Sequence, residues 1–369
     1  MSDVESALAR PATLCAFCPK LCRSACPVSE AEKRETVTPW GKMSLVHLGR
    51  TGQLSLQQAG AQKALEACTG CGACVEQCAH GNPVGETLFS ARGLAETPRS
   101  KAYAEAFKAT GDVKGRDLAA RLDGVWQDRH QKVAYFPGCA RLNDPAGRSG
   151  IDKDLRALER AFGKPVAVTA LSKGAQCCGY PVYADGQVEL VEENLLRMAD
   201  AFAEHELVIT PDPGCAWMFT SVRETLIGQG RSGRSFPRVV PLVEALAARK
   251  DRFAGASHGV VVRYHDPCYL GRRGRSFDGP RALLEAATGL RPLEFVRHHD
   301  AADCAGAGGL YPVSNPEGAR DVARRRLSPQ SQGPEPAEIV VTACPSARRT
   351  FERAGHRARD IVDVALGEL

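Results

Sequence analysis

Cys15-x2-Cys18-x3-Cys22-x3-Cys26-Pro27 and Cys68-x2-Cys71-x2-Cys74-x3-Cys78 gather eight of the chain's fifteen cysteines into two tight runs. Intervals of two or three residues let one segment wrap three corners of a compact, soft metal centre, and a fourth thiolate has to arrive from further away. The second run has the ligand spacing of a cubane iron–sulfur cluster.

In two-cluster ferredoxins the last cysteine of each run ligates the other cluster. On that pattern Cys15, Cys18, Cys22 and Cys78 form one [4Fe-4S] ligand set, and Cys68, Cys71, Cys74 and Cys26 the other. Two departures stand out. Pro19, Lys20 and Leu21 put three residues where two are usual, and Ala79-His80 follows the second run where a proline is usual. Structural zinc takes four ligands, so a zinc site on Cys15-x2-Cys18 and Cys71-x2-Cys74 would leave spare thiols. Disulfide frameworks belong to small secreted domains. Met1-Ser2-Asp3-Val4-Glu5 has no basic stretch leading into an apolar one, and the expectation is a cytoplasmic protein.

The 369 residues suffice for two or three domains, and 25% charged with 43% hydrophobic residues is an ordinary globular balance. No apolar run approaches the roughly 18 residues of a membrane span, so work at a membrane implies a peripheral subunit. A net charge of +5 without interleaved aromatic and basic residues argues against nucleic acid as a partner.

Trp40 to Leu48, Leu56 to Ala67, Pro83 to Leu94 and Lys101 to Lys108 read as helices, giving an amino-terminal helical domain over 1–115. A polar connector spans 116–131. Beyond it, Val133 to Phe136, Val166 to Ala170, Leu207 to Thr210, Val260 to Tyr264, Leu293 to Val296 and Ile339 to Thr342 are strand candidates. Helices are expected between them at Val188 to Glu204, whose apolar stripe breaks at Asn194, and at Pro280 to Thr288. Alternation of this kind predicts α/β domains with covered parallel sheets.

This half repeats itself. Cys139 and Cys268 lie 129 residues apart, as do Cys215 and Cys344, while Cys177-Cys178-Gly179 matches Cys304-Ala305-Gly306 at 127. The reading is two repeats, 132–255 and 256–369. The cysteines follow candidate strands, where open α/β sheets form their ligand crevice, so all seven thiols are expected on one side of the sheets.

The combination resembles iron–sulfur subunits that join a helical di-cluster ferredoxin domain to two cysteine-rich domains of pattern C, CCG, C-x-x-C. Those of heterodisulfide reductase, glycolate oxidase, anaerobic glycerol-3-phosphate dehydrogenase and lactate-utilisation complexes share this layout. Gln176-Cys177-Cys178-Gly179-Tyr180, Pro213-Gly214-Cys215, His265-Asp266-Pro267-Cys268-Tyr269-Leu270-Gly271-Arg272 and Cys304-Ala305-Gly306-Ala307-Gly308-Gly309 carry the resemblance. It implies an α plus α/β architecture: two [4Fe-4S] clusters in the first domain and a further iron–sulfur cluster in the repeats. The closing C-x-x-C is incomplete, with Met218 three places after Cys215 and Ala347 three places after Cys344, and Ala305 replaces one cysteine of the second CCG. This disfavours heterodisulfide reduction. The redox site is expected at Cys139, Cys177, Cys178 and Cys215, with Cys268, Cys304 and Cys344 completing or replacing part of it across the repeats.

No Gly-x-Gly-x-x-Gly follows a strand and no Gly-x-Ser-x-Gly elbow is present, so no flavin or nicotinamide is expected on this chain. The expected partner is a flavoprotein dehydrogenase, with a quinone-linked or peripheral membrane partner as a further expectation. The chain would pass electrons singly between donor and acceptor. The alternatives are a thiol/disulfide reductase or redox sensor built on Cys177 and Cys178, or a non-catalytic iron–sulfur scaffold. His265, Asp266 and His80 are expected either to tune a cluster or to serve turns and loops. His298-His299-Asp300 reads as a solvated loop because adjacent residues point apart. Arg272, Arg273, Arg275 and Arg324 to Arg326 read as a solvated face, and Trp40, Trp126 and Trp217 as packing residues.

Overall fold

A computed structural model describes residues 3–20, 22–144, 147–169, 177–227 and 236–369. Met1, Ser2, Leu21, Ala170 and Gln176 of the segments quoted above lie outside them. The amino-terminal part is helical. Helix Asp3–Ala16 packs along helix Pro39–Arg50, which starts where the Thr38 hydroxyl accepts the Gly41 N–H. Helices Ala59–Glu66, Val84–Arg92 and Pro98–Thr110 follow, the last opened by a Thr97/Ser100 capping box. Cys15 sits in the last turn of helix Asp3–Ala16, and the other cysteines of the two runs occupy the loops and short turns between these helices.

Two parallel sheets form the remainder. The first takes β1 (Val133–Tyr135), β2 (Ala167–Val168), β3 (Leu207–Thr210) and β4 (Arg238–Pro241) in the order β2-β1-β3-β4. The second takes β5 (Val262–His265), β6 (Ile339–Thr342) and β7 (Ala358–Asp360) in chain order. Both edge strands β4 and β7 escape the sequence reading, since Arg-Val-Val-Pro and Ala-Arg-Asp lack a strand-like run of β-branched residues. Conversely, the expected strand at Leu293 to Val296 amounts to one isolated bridge between Leu293 and Arg263. Helices Val188–Phe202 and Asp278–Thr288 cover the sheets.

One apolar core joins the sheets and takes in Phe89 and Phe107 from the amino-terminal helices. Buried arginines fasten the parts to one another. Arg141 binds Asp154 of the first repeat and Asp360 of the second. Arg92, 5% exposed, donates to the carbonyls of Leu65, Glu66 and Cys68 at the end of helix Ala59–Glu66, to Ala184 in the first repeat and to Gly309 in the second. Gly309 has φ +61°, and a Cβ there would stand 2.1 Å from the Cys68 carbonyl oxygen. Only glycine lets this loop of the second repeat touch the second cysteine run.

Candidate functional site

The cysteine runs sort into two groups. Cys15 is influenced electrostatically by Cys22, Cys78 and Cys18, and its sulfur accepts an N–H from the buried Asn82 amide at 2.8 Å. Burial lifts the Cys15 thiol to about 11, against the pull of that hydrogen bond. Cys26, Cys68, Cys71 and Cys74 line one small cavity together with Lys42. The Lys42 side chain is 1% exposed, donates to the Ala67 carbonyl at 2.7 Å and reaches Cys26 Sγ at 3.9 Å. The structure thus brings Cys15 near Cys18, Cys22 and Cys78, and Cys26 near Cys68, Cys71 and Cys74, with Cys22 also feeling Cys26.

In the first repeat a chain of thiols runs through the CCG loop. The Cys177 thiol donates to Cys139 Sγ at 3.3 Å, and Cys177, Cys178 and Cys215 are free thiols linked in turn by hydrogen bonding. The loop is held by Asn194, whose amide donates to the Cys177 carbonyl at 3.0 Å. The break in the apolar stripe of that helix was therefore the visible signal of a positioning residue. Gly138 has φ +67°, and a Cβ on it would lie 3.0 Å from Cys215 Sγ, so a side chain there would crowd the thiols. The Cys178 hydrogen bond pulls Cys215 down, but burial and Asp212 leave it raised to about 12. Cys139, Cys177 and Cys178 are likewise raised well above the usual thiol range. Nucleophilic cysteines show the opposite shift.

Six of the seven repeat cysteines, all but Cys177, line one cavity of about 340 Å³ between the repeats. The second-repeat thiols share this cavity and also reach toward the second cysteine run. Cys304 hydrogen bonds to Cys268 on one side and to Cys71 of the second run on the other, so two of these thiols abut the ferredoxin-like domain. Arg272, 4% exposed, donates to the Cys71, Asp300 and Ala302 carbonyls, and its Nη2 is buried without a partner. An orphaned cationic nitrogen beside Cys71, Cys268 and Cys304, like the buried ammonium of Lys42, fits thiolates carrying an anionic centre better than neutral thiols.

The register of the repeats needs correction. Tyr135 pairs with Ile209 as Tyr264 pairs with Val341, so β3 and β6 correspond at 132 residues, and not at the 129 that matches Cys215 with Cys344. Asp212 and Cys344 then occupy the same place, each the N-cap of a helix with proline next. Ala347 takes the place of Cys215. The first repeat thus lacks the first cysteine of C-x-x-C, replaced by Asp212, and the second repeat lacks the second. Asp212 and Cys344 share the cavity wall, where the Ser346 hydroxyl donates to Asp212 Oδ2 at 3.0 Å.

Other expectations divide. His265 is 1% exposed, stacked edge-on against Phe351, with Nδ1 receiving the Arg326 Nε–H at 3.0 Å. Asp266 is taken by Arg281 and the His299 N–H, and His80 is exposed. Arg272, Arg273 and Arg326 are not a solvated face: Arg273 clasps Glu86 and lies over Trp217, and Arg326 is 1% exposed. Arg275, Arg324 and Arg325 do lie on the surface. Trp217 packs and Trp40 donates to the Ala16 carbonyl, whereas Trp126 is 49% exposed. His298 and His299 do not point apart, because a left-handed φ of 54° at His299 brings their Nδ1 atoms to 2.6 Å. The nearby Glu294 is committed to Arg281 through both oxygens. Among the described residues no helix is long and apolar enough to cross a membrane.

The 4Fe-4S dicluster domain family matches residues 11–82, and the Cysteine-rich domain family, CCG, matches 133–220 and 262–351. The chain is 25% identical over 342 residues to a subunit of the fumarate reductase (CoM/CoB) of Methanothermobacter marburgensis, covering 88% of this chain and 64% of that protein. It is 27% identical over 307 residues to a subunit of the dihydromethanophenazine:CoB–CoM heterodisulfide reductase of Methanosarcina mazei, covering 77% and 71%. Lactate utilization protein A of Geobacillus kaustophilus is 32% identical over 142 residues, 37% of this chain and 58% of that protein. The chain belongs to the iron–sulfur oxidoreductase subunits that join an amino-terminal 4Fe-4S dicluster domain to two cysteine-rich CCG domains.

Proposed function

We propose that the chain is the electron-transferring subunit of a cytoplasmic oxidoreductase, relaying single electrons between a partner flavoprotein dehydrogenase and an acceptor. Cys15, Cys18, Cys22 and Cys78 hold one [4Fe-4S] cluster, Cys26, Cys68, Cys71 and Cys74 a second, and Cys139, Cys177, Cys178 and Cys215 a cysteine-rich cluster site. When bound, such clusters supply one-electron transfer over a range of potentials set by their surroundings. The observation that carries the reading is the contact of Cys71 with Cys304, which joins the second quartet to the six-thiol cavity. The chain's own residues do the remaining work: Asn82 and Lys42 donate to ligand sulfurs, Asn194 fixes the CCG loop, and Arg92 and Arg272 hold the domains at contact distance. Anaerobic reductive titration with a one-electron dye tests this. The expected result is uptake of about one electron per four-iron cluster, and reduction of the same clusters by a flavoprotein dehydrogenase supplied with its substrate. Protein that takes up no electrons contradicts it.

A further inference from the structure

Lys42 is a fully buried ammonium with no carboxylate partner among the described residues; its neighbours are the Ala67 carbonyl and Cys26 Sγ. It lines one small cavity with Cys26, Cys68, Cys71 and Cys74. Arg272 brings a second buried cation from another domain, with Nε on the Cys71 carbonyl and an unpaired Nη2. The Cys15, Cys18, Cys22 and Cys78 group differs. Its described buried donor is the neutral amide of Asn82, while Lys20, half-buried over the Trp40 ring, and the exposed Arg23 are paired with Glu35.

We propose that Lys42, assisted by Arg272, sets the reduction potential at the Cys26, Cys68, Cys71 and Cys74 site and makes it the electron-accepting member of the pair. The inference rests on the relay reading. Adding an electron to a thiolate-bound centre increases negative charge, which burial opposes and a buried cation offsets. Because both cations are out of water, salt screens them little. One electron leaves the Cys15 site, oxidising it, and arrives at the Cys26 site, reducing it. The flavoprotein donor refills the first, and no proton has to move. The second site stands next to Cys304 and the cavity, so the order of potentials points electron flow toward the repeats.

The test is a redox titration of the full-length, iron-loaded protein followed by electron paramagnetic resonance, with iron counted first. Lys42→Met is expected to lower one midpoint and leave the other in place. The reduced-to-oxidised ratio of that site at fixed poise should fall tenfold or more, about 59 mV for one electron. Lys42→Arg restores it, and added salt changes neither result. Both midpoints unmoved, or both moved equally, with full iron overturns the inference alone. If Lys42→Met loses about four iron atoms, Arg272→Gln decides: the same selective fall supports the inference and an unmoved midpoint overturns it. Wild-type protein without cluster iron overturns the relay reading itself and this inference with it.

Discussion

Replacing Arg92 with methionine removes one guanidinium from five carbonyl oxygens belonging to three parts of the protein: Leu65, Glu66 and Cys68, then Ala184, then Gly309. Leu65 and Glu66 are among the last carbonyls of helix Ala59–Glu66, which have no partner within the helix. Methionine matches the aliphatic stem but leaves four of these buried acceptors unmet, Glu66 keeping the Cys68 N–H at 2.8 Å, at about 1 kcal/mol each. Part is returned because a guanidinium need no longer be taken out of water. The net loss is about 3 kcal/mol, and it falls on the junction, not on either core. Urea unfolding followed by far-ultraviolet circular dichroism and by cluster absorbance should show the two signals separating, with absorbance lost first. A single transition weakened by less than about 1 kcal/mol would refute the idea that Arg92 fastens the three parts.

His265 is held well below its usual pKa by burial, with the charges of Arg326 and Arg272 adding to the effect. Below about pH 6.5 the unfolded chain therefore binds a proton that the native state does not. Stability should fall as pH drops through that value, by up to about 1.4 kcal/mol per pH unit, and His265→Gln should flatten the slope in pH-dependent urea midpoints. An equal slope in the variant would assign the acid sensitivity elsewhere. Asn82→Leu deletes the N–H donated to Cys15 Sγ and should lower the midpoint of the cluster that Lys42→Met leaves untouched; a shift in the other cluster would reverse the grouping of the cysteines. Asn194→Leu should leave eight-cysteine iron loading intact while loosening the CCG loop, seen as faster loss of iron bound by the repeats to a chelator.

Much of this was legible in the chain because ligand spacing is a local property. The two cysteine runs, the alternation of strands and helices after Val133, and the repeated Cys139/Cys268 and CCG positions are all set by short-range pattern. The register of β3 against β6 was not, since Cys215 and Cys344 share a spacing of 129 residues while strand pairing aligns Asp212 with Cys344. A coincidence of cysteines outweighed the Thr-x-x-Pro frame that both strands share. The arginines misled for a related reason. Charge in a sequence says nothing of a carbonyl cluster brought from three domains, so Arg92 drew no notice and Arg272 and Arg326 read as surface. Lys42 lay unnoticed inside a helix-permissive segment, and only packing shows that it faces four thiols. At His298-His299, a single left-handed residue cancelled the usual divergence of neighbouring side chains.

The relay requires the repeats to carry a cluster continuous with the two quartets. Iron and sulfide analysis with electron paramagnetic resonance tests it on anaerobically purified protein, beside a variant with Cys177, Cys178 and Cys215 changed to serine. A third cluster predicts about twelve iron atoms falling to about eight in the variant, whereas about eight in both would contradict it.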